Sequence, residues 1–257
     1  MRILTLFLTK DSSTFVPKNY DAVLNQEGIS QDVYVVSRKP INVANNIVIP
    51  VDDSFPMPIR VGFSIRKALK HFNLDNYDYI FKVDGDNFLP KNYVAKLLEK
   101  RSPLAGAGCA FLIKTSFFKK VLKEYPINYC DDGYVFARSI AVMGFMPPYY
   151  NYLGRRFYLA SGADWRRNYI YGLEHYRRGD YLLQLLISLA LTYSRGGAGL
   201  KTIISVLSAY ATGFIHAFLR RINKYEWWKD YRRVRASHFA KRFIHACNKI
   251  LNKMFPI

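Results

Sequence analysis

The spacing of apolar residues along this chain switches between a two-residue and a helical period, and the switches lay out its elements. Residues 2–9 read as a buried strand, followed by a polar loop through Lys10 to Ser13. A helix is predicted from about Asn19 to Glu27, stopped by Gly28, with a second strand at Val33 to Val36. Such a β-α-β opening makes the strands parallel and puts the loops after Thr9 and Val36 on one sheet edge. A short strand over Ile47 to Ile49 interrupts the Pro- and Asn-rich stretch 41–58. Val61, Ile65, Ala68, Leu69 and Phe72 recur at helical spacing, predicting a helix over Arg60 to Phe72. Tyr77 to Val83 reads as a further buried strand, and Pro90 and Asn92 introduce a helix through Lys100. A small-residue run, Ala105 to Cys109, leads into the apolar segment Ala110 to Ile113. Thr115 and Ser116 look like caps for a helix over Phe117 to Tyr125, and a last helical pattern covers Tyr134 to Met143.

Beyond Gly144 the text changes. Tyr149, Tyr150, Tyr152, Phe157, Tyr158, Trp165, Tyr169, Tyr171 and Tyr176 are interleaved with Arg155, Arg156, Arg166, Arg167, Arg177 and Arg178. Tyr181 to Tyr193 and Thr202 to Leu219 are mostly apolar runs; the first is shorter than the ~20 residues that span a bilayer and the second is borderline. Each is expected to lie in a membrane interface or to pack as a hairpin around residues 194–199. From Arg220 the chain is strongly basic, with Trp227 and Trp228 inserted. Phe239, Phe243, Ile244, Cys247, Ile250 and Leu251 form an apolar stripe beside Lys241, Arg242, Lys249 and Lys253, the pattern of a surface-lying membrane anchor.

Composition adds size and charge to this outline. The 257 residues are 50% hydrophobic and 16% aromatic, enough for a large core. A formal charge of +19 favours an anionic partner: a phospholipid surface, a nucleic acid or a phosphorylated substrate. Cys109, Cys130 and Cys247 fit neither a zinc spacing nor a disulfide framework, so a reducing compartment is expected. The N-terminal MRILTLFLTK reads as a strand, lacking the long apolar stretch and cleavage site of a signal peptide.

Two acidic clusters carry the candidate chemistry. The strand ending at Val83 runs into Asp84-Gly85-Asp86, placing two carboxylates at the sheet edge where open α/β sheets bind ligands. Carboxylates so close repel unless a cation joins them, and oxygen ligands suit Mg²⁺ or Mn²⁺ holding substrate phosphates. Asp-Gly is also ordinary turn chemistry. Ser37, Arg38 and Lys39 fall at the end of the second strand; Arg60, at a helix start, is better placed than Arg66 to meet a phosphate or base. Gly106 and Gly108 allow close approach of a sugar or pyrophosphate. The second cluster is Tyr129-Cys130-Asp131-Asp132-Gly133. One of its acids can cap the following helix while the other projects as a general base. His216, His238 and His245 share no ligand spacing.

The order of these features, VDGDNFLP and then DDGYVFAR opening a helix, resembles the inverting glycosyltransferases of family 2 over roughly residues 1–180. The resemblance implies an α/β, GT-A (Rossmann-like) nucleotide-sugar-binding domain over 1–178, and the apolar and basic text beyond it reads as a mostly helical, basic, membrane-associating region over 179–257. It implies that Asp84 and Asp86 form the D-x-D element for the donor and its divalent cation, Mn²⁺ or Mg²⁺. Asp132 then takes the place of the catalytic base, with Asp131 replacing the usual Glu and Arg138 closing the element. Thr9, Arg38 and Arg60 complete the expected donor-binding set. The chain departs from the pattern at Ser37-Arg38, where an acidic pair is familiar, and at Arg66, where Asn is frequent. It also lacks the Q-x-x-R-W element of processive synthases, which points to transfer of a single sugar. The expected enzyme is a metal-dependent hexosyltransferase, peripheral or monotopic on the cytoplasmic face of the membrane. It would use a GDP- or UDP-sugar and a lipid-linked or glycan acceptor, with an anionic membrane surface as partner and no nucleic acid. Alternatives are a polyprenyl-phosphate glycosyltransferase of the dolichyl-phosphate-mannose-synthase type, a nucleotidyltransferase, and a nucleic-acid-binding protein.

Overall fold

The structure is a computed structural model that describes residues 1–128, 130–150, 165–194, 199–219 and 223–254. Tyr129, the stretch holding Arg155 and Arg156, and the side chains forming the expected stripe beyond Lys241 lie outside the described set.

The first half alternates strand and helix: β1 (Ile3–Leu8), α1 (Pro17–Leu24), β2 (Gln31–Ser37), β3 (Asn46–Val48), α2 (Met57–Leu69), β4 (Tyr79–Asp84), α3 (Tyr93–Leu98), β5 (Leu104–Ala107), β6 (Ala110–Lys114), α4 (Thr115–Val121) and α5 (Asp131–Met143). The strands form one mixed sheet in the order β3-β2-β1-β4-β6-β5, parallel from β3 to β4 and antiparallel at β6 and β5. Two-residue alternation divides the side chains between two cores. Ile3, Phe7, Val33, Val35, Phe81 and Val83 face α1 and α3 through Tyr20, Val23, Tyr93, Val94 and Leu97. Leu4, Leu6, Val36, Ile80, Phe111 and Ile113 face α2, α4 and α5 through Ile65, Leu69, Phe118 and Val135. The result is an α/β/α sandwich.

Register fixes the working edge. Leu8 pairs with Val36 on one side and with Asp84 on the other, so β1, β2 and β4 end level. Antiparallel β6 starts there, because Ala110 pairs with Val83, and this brings Gly108 and Cys109 to the same edge.

Several predicted boundaries shift for local reasons. Helix α2 begins at Met57, because Pro56 and Pro58 supply the fixed φ and missing donors that a first turn tolerates. Thr115 and Ser116 are the first residues of α4 and do not cap it. Cys130 is the N-cap of α5 and makes no side-chain cap bond, which puts Asp131 and Asp132 inside the first helical turn. Carboxylates there face the positive end of the helix dipole.

The second half is helical: α6 (Trp165–Arg178), α7 (Leu182–Ser194), α8 (Leu200–Phe218) and α9 (Trp228–Met254). Tyr176 of α6 packs with Leu185 and Leu189 of α7 and with Val206 and Tyr210 of α8. Helix α6 had no counterpart in the predicted elements, although Trp165, Tyr169, Leu173 and Tyr176 recur along it at helical spacing. Gly179, at the expected boundary between regions, turns at φ 77° against Trp228. Of the tryptophan pair, Trp228 is half-buried and Trp227 is buried. Trp227 is buried with Ala137 and Ile140 of α5, edge-on to Tyr134 and stacked on Tyr225. Exposed apolar side chains concentrate on α7 and α8: Leu183, Ile187, Ile204, Phe214, Ile215 and Phe218. Of the described helices, α8 is long and apolar enough to cross a membrane.

Candidate active site

The end of β4 is held by its neighbours before any ligand is considered. The amide of Gly85 donates to Leu8 O (2.7 Å) and that of Asp84 to Cys109 O (2.8 Å), tying the turn to both adjacent strands. A Cβ at residue 85 would stand 2.7 Å from Leu8 O, so only glycine fits between the strand ends. From the other side, buried Asn19 of α1 donates to Gly85 O at 2.9 Å. This rigid turn leaves Asp86 exposed, with one oxygen accepting from Asn87 Nδ2 at 2.8 Å.

The sheet's alternation puts Lys82 on the same face as Asp84, beneath α5. Lys82 is only 3% exposed. Its ammonium lies 2.6 Å from Asp84 Oδ1 and donates to Gly108 O at 2.8 Å. Burial alone would lower its proton affinity, but Asp84, Asp131 and Asp132 together hold it charged and above its ordinary value. Gly108 in turn is the floor for Asp132: a Cβ there would fall 2.0 Å from Asp132 Oδ2. The two acidic clusters, separated by more than forty residues of chain, therefore meet through Asp84, Lys82, Gly108 and Asp132.

The acids sit in different surroundings. Burial raises the pKa of Asp84, with Lys82 opposing and the charges of Asp132 and Asp86 adding to the rise. Burial and then Asp132 push Asp131 up to about 7, while a hydrogen bond from Tyr125 Oη to Asp131 Oδ2 (2.9 Å) works the other way. Asp132 is half-buried, its Oδ1 accepting from the Gly133 amide at 2.6 Å. Asp131 thus belongs to the interior, while Asp132 is the acid of α5 turned to the sheet edge. Burial also pushes the Cys130 thiol upward, which leaves it a poor nucleophile.

The other expected donor-binding residues divide. Arg38 and Arg60 converge on one oxygen of exposed Asp53. The Arg38 hydrogen bond is the main cause that lowers the Asp53 pKa. Thr9 lies at the end of β1, where its amide donates to Val36 O and its hydroxyl meets that of Thr14 at 3.0 Å. Arg38 joins this corner through its amide, which donates to Lys10 O. Arg66 instead staples α2 to the segment before α5, bonding Tyr125 O at 2.6 Å and Glu124 at 3.1 Å. Arg138 sits half-buried about two turns along α5 from Asp131, and among the described residues it pairs with neither acidic cluster.

Among the described residues no group of three or more His, Cys, Asp or Glu side chains is arranged to hold a metal. Asp86, with an oxygen left open, and Asp84 offer the hard oxygen donors that Mg²⁺ or Mn²⁺ takes when phosphates and water complete the shell. Lys82 was legible but unread: a charged residue inside an apolar strand, two positions before an acid, lies on that acid's face.

No family model matches the chain, and no curated protein matches its sequence. Solved structures do resemble its fold. A mannosyltransferase, PcManGT from Pyrobaculum calidifontis, in complex with GDP-Man and Mn²⁺, is 13% identical; the match covers 99% of this chain and 81% of that one, with a TM-score of 0.49. TarS residues 1–349 from S. aureus is 12% identical, over 94% and 92% of the two chains, with a TM-score of 0.40; its complex with UDP gives 0.41. Likenesses this remote leave the function to be argued from the site itself.

Proposed function

We propose that this chain is an inverting glycosyltransferase of the GT-A type, moving one sugar from a nucleoside-diphosphate sugar to a hydroxyl acceptor. The observation that carries this reading is the meeting of Asp84 and Asp132 across Lys82 and Gly108 at the carboxyl edge of the parallel strands. Sugar transfer from a diphosphate needs negative charge stabilised on the leaving group and, on the opposite side of the sugar, a base for the incoming hydroxyl. Asp86 and Asp84 fit a divalent cation, which when bound would supply Lewis-acid stabilisation to the diphosphate. Arg38 and Arg60 bring positive charge to the donor's nucleotide end, near Thr9. Asp132, beside Gly108, accepts the acceptor's proton as the acceptor oxygen attacks the anomeric carbon, and in-line displacement inverts that carbon. Buried Asp131 and Tyr125 keep the helix start in place beneath it.

The acceptor is proposed to be lipid-linked and presented at the cytoplasmic face of an anionic membrane. The exposed apolar faces of α7 and α8 support this, together with the net positive charge.

Incubation with GDP- and UDP-sugars and Mn²⁺ or Mg²⁺ tests the chemistry. Metal-dependent release of nucleoside diphosphate is expected; release of pyrophosphate would indicate nucleotidyl transfer instead, and turnover of no donor would sink the proposal. For the membrane part, Leu183→Glu combined with Phe218→Glu is expected to abolish flotation with anionic liposomes without changing soluble donor turnover. Tighter binding to single-stranded DNA than to liposomes at equal salt would reverse the choice of partner.

A further inference from the structure

A buried polar hub joins the helical half of the chain to the first turn of α5. Its centre is Asp180, only 6% exposed, just beyond α6. Asp180 Oδ2 receives Arg178 Nη2 at 2.9 Å and lies 2.7 Å from His175 Nδ1; Asp180 Oδ1 accepts from Tyr231 Oη of α9 at 2.6 Å. The backbone carbonyl of Asp180 accepts from Tyr210 Oη of α8. Helices α6 and α9 thus fix one carboxylate while α8 holds its backbone, and that carboxylate fixes one guanidinium.

Arg178 aims its other nitrogen at the start of α5. Nη1 lies 3.5 Å from Cys130 Sγ, and that sulfur lies 3.7 Å from Asp132 Oδ1. A Cβ at residue 133 would stand 2.2 Å from Arg178 Nη1 and 2.3 Å from Cys130 Sγ. Any other residue at 133 would push the guanidinium or the thiol away. Gly133 is helical, where glycine costs about 1 kcal/mol against alanine, so its presence calls for a packing reason. Charge capture by a carboxylate does not explain this arrangement alone, since Asp180 takes only Nη2 and Nη1 is directed at the helix start. The additional contact is with the turn that carries Asp132.

We propose that Arg178 is a positioning residue for Asp132, seated in the space that Gly133 leaves open, and that α6, α8 and α9 thereby form part of the transfer site. This rests on the transferase reading. The helical half is then not only an attachment device: whatever disturbs its hub disturbs the aim of the base.

Arg178→Lys and Gly133→Ala test it in the full-length chain. A lysine keeps the charge but cannot reach Asp180 and Cys130 together through a planar fork. For both variants the donor KM is expected to stay within about twofold while kcat falls by tenfold or more, since misplacing a catalytic group by ~1 Å costs up to about 10²-fold. Amide exchange at 131–134 is expected to quicken by about tenfold, with α2 unchanged, as for a local opening. Unchanged kcat in a folded Gly133→Ala or Arg178→Lys protein overturns the proposal, as does a loss confined to donor KM. Should both variants fail to fold, Tyr231→Phe removes one bond to Asp180 and leaves the packing; its kcat is expected to fall by about threefold with KM steady, and an unchanged kcat overturns the proposal. If the unaltered chain turns over no donor, the transferase reading fails, and exchange at 131–134 still decides whether Arg178 holds the helix start.

Discussion

The end of β4 and the start of α5 each present two carboxylates, and the two pairs divide their labour in the same way by different means. At β4 the acids are separated by Gly85, so strand geometry sends Asp84 down against Lys82 and a turn lifts Asp86 into solvent. At α5 they are adjacent, and the helix turns Asp131 inward to Tyr125 while Asp132 faces Gly108. In each pair one acid is bound into the fold and the other is left for chemistry. A pair of acids in a sequence is therefore a weaker clue than the partner that engages one of them.

The comparison breaks most completely if the free acids are dispensable. Asp86→Ala is expected to abolish metal-dependent donor turnover, read as nucleoside diphosphate release, whereas Asp84→Asn retains part of it. Next in size, Asp132→Asn is expected to lower kcat by about 10²- to 10⁴-fold, the range for losing a general base, with donor binding by calorimetry unchanged. The engaged acids and their partners should show themselves in stability. Lys82→Met is expected to cost about 3 kcal/mol in denaturant unfolding, at the low end for orphaning one charge of a buried pair because the Asp84 side chain is 36% exposed.

The remaining effect concerns pH. Asp131 has its pKa raised from 3.8 to about 7 in the folded chain, so between those values the folded state binds a proton that the unfolded state releases. Its contribution to stability therefore falls as pH rises from about 4 to about 7 and is flat above. Asp131→Asn is expected to remove that part of the slope, measured as the unfolding midpoint across this range.

Much of the sheet was legible because its strands are short apolar runs punctuated by Gly, Pro and Asn. Both acidic clusters, and their place at a strand end and a helix start, could be read from spacing. What could not be read was non-local. The sequence ranks Arg60 above Arg66 by its place at a helix start, yet only the structure shows that Arg66 is a staple on Tyr125 O and that Arg60 faces Asp53. Trp227 carries the composition of an interface residue, and its burial depends on α5 arriving from ninety residues upstream. Asp180 gave no signal, because its partners come from α6, α8 and α9 and share no sequence period.

Lys82 has a consequence for how the proposed cation site behaves when empty. A centre whose acids were kept together only by a metal would loosen once a chelator stripped the ion away, as small metallo-domains do. Here a covalently tethered ammonium already performs that neutralising duty. On the proposed metal-dependent reading, EDTA is expected to stop donor turnover while leaving the melting temperature where it was, which would make cation loading a reversible on-off event and not a step in folding.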